Sequence, residues 1–592
     1  MKIEYKNKTL ERYIIALNAL GITMVATTFV MLFGFDTPPL PAKLLHIAEA
    51  VMFFFFLTEK IIRFFNAVSK REYLSLNWFE LPLLVVMIFV AIGAGRWFAF
   101  DNPLGTLLDA VSIYLVVQVI DKLCRSVVNL AAAGHNPARS LVSLFVVLIF
   151  AGAGLLMLPK AHNLPSMSFT DAVFTATSAT CVTGLIVKDT GKDFSILGQI
   201  VILSLIQLGG LGIVVFGAVL GLLLGQSLSV RESAAMQDLL STQTLSRIGR
   251  IVAFIFIATI LIESLGAVSL YRMWSNVPQT PTDSSWLWFC SVFHSISAFC
   301  NAGFSLFSKN MIDYNRSAGV YTIIAPLIFL GGLGFGVLLN LSDVASDRIK
   351  RRFWSLRNPS AVFQLEAPKR ILLQTKVVLT VSVALILAGA VLIKLFETFR
   401  AGPNPDHTWA VAFFQSVTAR TAGFNTVDIA SMSASSKLTL IFMMFIGGSP
   451  GSTAGGIKTV TFAVVLMVAW ATLRKRRDVE MFNRSIRLVV LGRAITVILL
   501  FLFVLLAAAS CLTITERNNP FTLMDIYFES ASALGTVGLT TGITASLTTA
   551  GKWIIILTML IGRLGPLTLL TSLMFTVRPA KFDYPSEPLV VG

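Results

Sequence analysis

Four short stretches of this chain combine residue types that suit the handling of a dehydrated cation. In Phe528–Leu539, FESASALGTVGL, a helical run gives way to an extended segment punctuated by glycine. A helix ending there directs its last carbonyls, the negative end of its dipole, at whatever lies beyond. The Gly-Thr-Val-Gly run exposes backbone carbonyls without bulky side chains, and stacked carbonyl oxygens can replace the water shell of a monovalent cation. With Phe528 and Gly538 as anchors, the same register recurs as Phe174…Gly184, Phe293…Gly303 and Phe413…Gly423. The glycines are 119, 120 and 115 positions apart (303−184, 423−303, 538−423), and each is followed by an apolar residue: Leu185, Phe304, Phe424 and Leu539. One such stretch would read as a structural turn. Four in register at near-constant spacing read as an internal repeat.

In each stretch the carbonyls next to the glycine are the candidate ion ligands. They belong to Val182, Thr183 and Gly184; Asn301, Ala302 and Gly303; Thr421, Ala422 and Gly423; and Thr536, Val537 and Gly538. The four linings differ, so the ring they would form is only pseudo-fourfold. None of these tripeptides contains a carboxylate, which argues against a Ca²⁺ site built on acidic rings. The expected ion is monovalent and cheaply dehydrated, K⁺ rather than Na⁺. Arg420 lies one residue before the third tripeptide. Facing the ion it would repel it, so it is assigned to the outer side of its loop, tying loop to scaffold.

Two further elements carry functional chemistry. Ile446–Thr459, IGGSPGSTAGGIKT, interrupts an apolar helix with glycine, serine and proline. Flanked by apolar spans, it is expected to be a broken helix at membrane depth facing an aqueous path, where irregular backbone is tolerated. A flexible segment below the filter can obstruct it. The gate candidates are Gly447, Gly448, Ser449, Pro450, Gly451, Ser452, Thr453, Ala454, Gly455, Gly456 and Lys458. The alternative is a static kink with Lys458 snorkelling. Arg563 sits within the last apolar segment, MLIGRLGPLT, where an arginine is costly. Its guanidinium could bond carbonyls of the broken helix and hold it shut, or staple neighbouring helices. Glu263 is a second ionisable group within a span, expected to pair with a basic group. The runs GGLG (209–212) and GGLGFG (331–336) read as close helix packing, with hinging as the alternative.

The elements that must position these residues follow from composition. Of 592 residues, 55% are hydrophobic and only 13% charged, with a mean hydropathy of +0.79. The chain is therefore an all-α polytopic membrane protein. Its net charge of +16 sits in loops between apolar spans, as the positive-inside rule expects, so nucleic acid is excluded as a partner. Cysteines 124, 181, 290, 300 and 511 show no metal or disulfide spacing. The start, MKIEYKNKTLERY, has no h-region with a cleavage site, so no cleaved signal peptide is expected.

Residues 1–130 read as an accessory bundle of four spans, roughly 12–34, 44–67, 79–94 and 105–123. Basic flanks place both chain termini in the cytoplasm. Residues 58–85 weakly resemble the second and third helices of a voltage-sensor module. The fourth span lacks the regularly spaced arginines that carry gating charge, so an accessory role is preferred. Four units of helix, pore helix and helix follow, at 135–226, 245–345, 370–475 and 488–580. Copy two is expected to close with a span at 318–341, copy three with an interrupted one at 436–472 and copy four with one at 552–577. The short helices, 169–180, 286–299, 408–419 and 522–533, are too brief to cross a bilayer and must be re-entrant. Basic loops between copies (Arg231–Arg250, Arg348–Arg370, Arg474–Arg487) are expected to be cytoplasmic, with a possible acidic partner docking there.

The loops CVTGL, CNAGF, RTAGF and GTVGL, the run GGSPGSTAGGIKT and the segment GRLGPLT together resemble the Trk/Ktr/HKT superfamily of K⁺ transporters over about residues 135–580. The resemblance implies four pseudo-repeats around a central pore, with Gly184, Gly303, Gly423 and Gly538 as filter glycines. It also implies 446–459 as an intramembrane gating loop opposed by Arg563. It further implies K⁺ as the transported ion, sometimes with Na⁺, and no organic cofactor in this chain. Members commonly form homodimers on a cytoplasmic nucleotide-binding regulatory subunit of the TrkA/KtrA type. Bacterial members usually carry no extra N-terminal helices or two, against four here. The expected protein is a non-enzymatic K⁺ uptake protein of a prokaryotic plasma membrane. The alternatives are Na⁺-coupled or Na⁺-selective transport, a voltage-gated cation channel using the N-terminal bundle, and an ion-translocating enzyme subunit.

Overall fold

The computed structural model describes residues 6–76, 108, 110–119, 122, 137–212, 248–274, 283–357, 367–399, 408–476 and 478–573. The expected third span, 79–94, lies outside them, as do Arg231, Arg247, most of the first basic loop and the C-terminal residues 574–592. Among the described residues, five helices are long and apolar enough to cross a membrane, or up to seven if each of two bent pairs counts as one span.

At the N-terminus, α1 (Lys8–Phe33) and α2 (Ala42–Asn66) pack together, and α3 (Ala110–Val119) joins them through Tyr114 and Leu115. Asn7 caps α1, its side chain accepting from the amides of Thr9 and Leu10, one of the standard ways to satisfy orphan donors at a helix start. The end of α1 touches the rest of the molecule where the Lys160 amide donates to the Gly34 carbonyl at 3.1 Å.

From residue 137 the element order is a long helix, a short helix with a turn, and a further helix, four times over. The first set is α4 (Pro137–Leu156), α5 (Phe169–Thr180) and α6 (Ile196–Leu211). The second is α7 (Ile248–Leu270), α8 (Ser284–Phe299), α9 (Ala325–Leu333) and α10 (Phe335–Arg357). The third is α11 (Leu373–Thr398), α12 (Trp409–Thr418), α13 (Ala434–Phe445) and α14 (Thr459–Leu473). The fourth is α15 (Leu488–Thr515), α16 (Leu523–Gly535), α17 (Thr549–Leu564) and α18 (Pro566–Leu573). Ser168, Thr408 and Thr522 cap the short helices α5, α12 and α16 by accepting from the amide three residues on, and Thr522 completes a capping box with Asp525.

Two expected straight spans are bent. The 318–341 segment turns by 100° between α9 and α10, and the last helix by 93° between α17 and α18. The cause is local. Gly334 and Gly565 take φ of +85° and +83°, a conformation that ends a right-handed helix and that side chains with a Cβ disfavour. Beyond its bend α10 is polar, carrying Asp343 in contact with Arg250 and Lys369 and Asp347 in contact with Arg351. The Arg351 hydrogen bond holds the Asp347 carboxyl below its ordinary range.

The core is built around the short helices. Phe174, Phe293 and Phe528 are fully buried, as their shared register predicts. In the third set the register is corrected by one residue: Phe414 is fully buried, while the expected anchor Phe413 is 38% exposed. The reason lies in the turn that follows. The amides of Thr183, Ala302 and Val537 reach back five residues, to Ser178, Ser297 and Ser532, whereas Ala422 reaches back four, to Thr418.

Candidate functional site

The four glycine turns converge. A Cβ built on Gly184 would stand 2.4 Å from the carbonyl oxygen of Ala302, and one on Gly303 would stand 2.7 Å from that of Ala422. On Gly423 it would stand 2.4 Å from that of Val537, and on Gly538 2.2 Å from that of Thr183. Each turn therefore abuts the residue before the next glycine, and the sequence of contacts closes on itself. These distances are too short for any Cβ, so only glycine permits the approach.

The turns also share a backbone conformation. Val182, Asn301, Thr421 and Thr536 have φ of 56°, 58°, 74° and 50°, and the glycines two residues on have 91°, 70°, 81° and 94°. A left-handed non-glycine residue costs about 1 kcal/mol or more, so four in register mark a conformation held for a purpose. Two of the turns are held by hydroxyls, the amides of Gly184 and Gly538 donating to Ser178 at 3.1 Å and Ser532 at 3.0 Å. The Asn301 amide, in the orientation that satisfies it, donates to Ala298 and Ile328 and is used up by the scaffold. Among the described residues, the buried hydroxyls of Thr183, Thr421 and Thr536 have no hydrogen-bond partner. The carbonyls of Thr183, Ala302, Ala422 and Val537 and these three hydroxyls thus lie together at the meeting of the four turns.

Behind the second, third and fourth turns, a polar residue on the short helix clamps the segment that follows the glycine. His294 Nε2 lies 3.1 Å from the Ser305 hydroxyl. Gln415 donates to Thr426 at 3.3 Å. Glu529, wholly buried, accepts from Thr540 at 2.9 Å and from Thr544. Asn310 donates to the carbonyls of both Gly303 and Gly423, at 3.4 and 3.5 Å. Sequence reasoning passed over all four. The signal for Glu529 was present, an acid inside an apolar run next to a repeated glycine turn.

The segment between α13 and α14 is the expected interruption, and it is a closed loop. Its ends meet as a bridge between Ile446 and Ile457, with the Gly447 amide donating to the Ile457 carbonyl at 2.9 Å. It seats on the bend of the second set. The Ser449 amide donates to Gly332, the Ser449 hydroxyl to Leu333, the Thr453 amide to Gly331 and the Phe335 amide to Gly451. Gly455 lies against the Thr536 side chain, directly adjoining the fourth glycine turn.

Arginines grip this loop from two sides. Arg563 donates through one nitrogen to Thr453 and through the other to Gly209, with Gly210 at 3.4 Å. Arg420 donates to Gly447 at 3.0 Å and to Ser382 at 3.4 Å. It does tie its turn to the scaffold, and its partners are carbonyls rather than a carboxylate. Lys458 bends back onto its own loop, donating to Ala454 at 2.8 Å. Glu263 corrects an expectation: among the described residues its carboxylate meets Gln207 at 3.2 Å and the Cys300 thiol at 3.8 Å, and no basic group.

The bends reveal a second repeated motif. Gly209-Gly210-Leu211-Gly212, Gly331-Gly332-Leu333-Gly334 and Gly562-Arg563-Leu564-Gly565 share a Gly-x-Leu-Gly pattern. It falls 28, 31 and 27 residues after the glycine of each turn (212−184, 334−303, 565−538). The first glycine of each packs on the final turn of its own short helix, where a Cβ would stand 1.9–2.1 Å from the carbonyl of Thr180, Phe299 or Leu534. The last glycine takes positive φ in all three. The packing expected of these glycines is therefore present, and at Gly334 and Gly565 the chain also bends. Arg563 occupies the position that Gly210 and Gly332 hold in the first two sets, so of these three motifs the last carries a cation.

Known proteins of similar sequence agree on the class. The chain is 39% identical over 463 residues to the Ktr system potassium uptake protein B of Bacillus subtilis (strain 168), covering 77% of this chain and 97% of that one. It is 38% identical over 467 residues to the protein of the same name from Vibrio alginolyticus (78% and 96% covered). It is 33% identical over 465 residues to the potassium/sodium uptake protein NtpJ of Enterococcus hirae (77% and 97%). The crystal structure of the potassium transporter TrkH from Vibrio parahaemolyticus superposes with a TM-score of 0.57 at 19% identity, over 84% of this chain and 98% of that one, a likeness of fold. The TrkH family, described as cation transport proteins, matches residues 110–581, and a transport protein rather than an enzyme is what this multi-pass chain is: it belongs to the TrkH family.

Proposed function

We propose that the chain carries K⁺ into a prokaryotic cell across the plasma membrane, through a filter lined by the carbonyls of Val182–Gly184, Asn301–Gly303, Thr421–Gly423 and Thr536–Gly538. The observation that carries this is the closed cycle of approaches between each glycine and the residue before the next. Carbonyl dipoles arranged around an axis replace the hydration shell of K⁺ at lower cost than that of the smaller, more tightly hydrated Na⁺. The domain reading is the same as that made from the sequence: an N-terminal bundle over 1–130 and four pore units thereafter.

The 446–459 loop is the gate. Its hydrogen bonds to the second set go to or from backbone carbonyls, which can be exchanged for water, and two arginines hold it. Opening requires Arg563 to release Thr453. Conduction then follows the electrochemical gradient. The chain acts as a homodimer on a cytoplasmic nucleotide-binding regulatory subunit, a reading supported by relatives named as components of a Ktr system.

Isotope flux with K⁺, Rb⁺ and Na⁺ on the reconstituted chain tests the proposal. K⁺ and Rb⁺ are expected to pass and Na⁺ to lag well behind; equal permeation of Na⁺ and K⁺ rejects the filter. A second reading is Na⁺-assisted uptake, favoured by the relative named for both ions. Under it, K⁺ flux at a fixed potential rises when Na⁺ is added on the outer side.

A further inference from the structure

The N-terminal bundle holds ionised groups that the pore does not use. The Lys122 ammonium is buried inside it, 2.8 Å from the Glu59 carboxylate and 2.6 Å from the Asn18 side-chain oxygen. It also lies 3.9 Å from the centre of the Phe56 ring. Asn18 donates to Glu59 at 2.9 Å, and Arg63 bridges Glu59 at 3.0 Å and Glu11 at 2.8 Å. A second carboxylate, Glu49, is almost wholly buried further along α2, accepting from Ser112 at 3.0 Å and pairing with His46 at 2.9 Å. Between the two levels lies an apolar plug of Val25, Met52, Phe56, Tyr114 and Leu115.

The spacings are informative. Glu49 and Glu59 are ten residues apart, as are their partners Ser112 and Lys122 (59−49, 122−112). The fourth span therefore runs parallel to α2, in register with it, with a carboxylate station about 15 Å further along on the far side of the plug. Gln118 precedes Lys122 by four residues, so it faces the same way one turn earlier. It is fully buried, and neither its side-chain nitrogen nor its oxygen has a partner among the described residues. A one-turn slide would bring Gln118 to the polar partners of the Asn18–Glu59 site and carry Lys122 one turn beyond it.

We infer that α1, α2 and the fourth span act as a voltage sensor in which that span exchanges Lys122 for Gln118 at the Asn18–Glu59 site beside Phe56. A buried ammonium within a membrane-spanning bundle feels the transmembrane field, and a potential negative inside draws it inward. Phe56, fully buried one turn before Glu59 on α2, covers the site with its ring. The link to the pore is short. Lys122 precedes α4 by 15 residues (137−122), and Arg139 on α4 donates to the Ser572 carbonyl on α18 at 2.6 Å. That helix follows directly on the Gly565 bend that carries Arg563. The regular arginine ladder expected of a sensor is missing from the sequence. The structure offers a single-charge device instead.

The experiment reads transient charge movement by the full-length chain in planar bilayers with impermeant ions on both sides. One elementary charge crossing the whole field shifts a two-state equilibrium about fiftyfold per 100 mV, which bounds the expected steepness. Saturating charge of up to one elementary charge per subunit is expected in the native chain and in Lys122→Arg, and none in Lys122→Met. Gln118→Leu, which denies the inward state its occupant, is expected to shift the midpoint to more negative potentials. No saturating charge in the native chain, or equal charge in Lys122→Met, overturns the inference. The module is argued independently of the filter, and the charge is read without permeation, so a failure of K⁺ flux would count against the pore alone.

Discussion

Arg563→Ala is the perturbation that tests the gate most directly. The guanidinium donates to Thr453 on the loop and to Gly209 on the first set, so it fastens the loop to a helix of another set. A charge-assisted hydrogen bond contributes roughly 1.5–3 kcal/mol net. The released state recovers part of this through hydration, so a net of about 1.5–3 kcal/mol for the latch as a whole is the reasonable figure. At about 1.4 kcal/mol per factor of ten, opening becomes roughly ten- to a hundredfold more favourable. Rubidium uptake into liposomes, normalised to inserted protein, should rise by about tenfold if the native loop is mostly closed. Arg563→Lys separates the latch from the charge, because a lysine keeps the cation but cannot fork between two carbonyls. An intermediate flux is expected for it. Unchanged or lower flux in Arg563→Ala, with the melting temperature within a few degrees of native, would refute the latch.

Three further outcomes follow from the same geometry. Removing residues 449–454 deletes the loop's contacts with Gly331, Gly332 and Leu333, and should raise Rb⁺ flux without altering K⁺ preference; reduced flux in a well-folded variant would count against an obstructing role. Gly423→Ala places a Cβ 2.4 Å from the Val537 carbonyl at φ +81°, so the ring must deform and the K⁺ over Na⁺ ratio should fall by about tenfold or more; retained selectivity there and in Gly303→Ala would sink the filter assignment. Glu529→Gln leaves one amide nitrogen facing the hydroxyls of Thr540 or Thr544 and should cost about 1–3 kcal/mol, seen as a lower melting temperature together with a changed K⁺/Na⁺ ratio; a melting change alone would mean that the clamp is only structural.

The glycine turns, the interrupted helix and the class of the protein were legible in the sequence because each rests on local chemistry. Apolar length dictates a membrane span, a glycine between small residues dictates open backbone, and a fourfold recurrence dictates related units. The α5 boundary, 169–180, was read to the residue, since Ser168 caps its start and the glycine turn ends it. Register in the third set was misread by one because FFQ offers two phenylalanines, and only packing selects Phe414.

What tertiary structure alone decided concerns groups that meet across long separations. The partners of Arg563 lie 110 and 354 residues away, and those of Arg420 lie 27 and 38 away, all of them backbone carbonyls that any residue type could supply. Backbone acceptors leave no mark on composition, so the sequence could name the donors and not their targets. The same holds for Lys122, Glu59 and Asn18, ordinary polar residues in separate spans until packing buries them together and removes the water that would otherwise have satisfied each one alone.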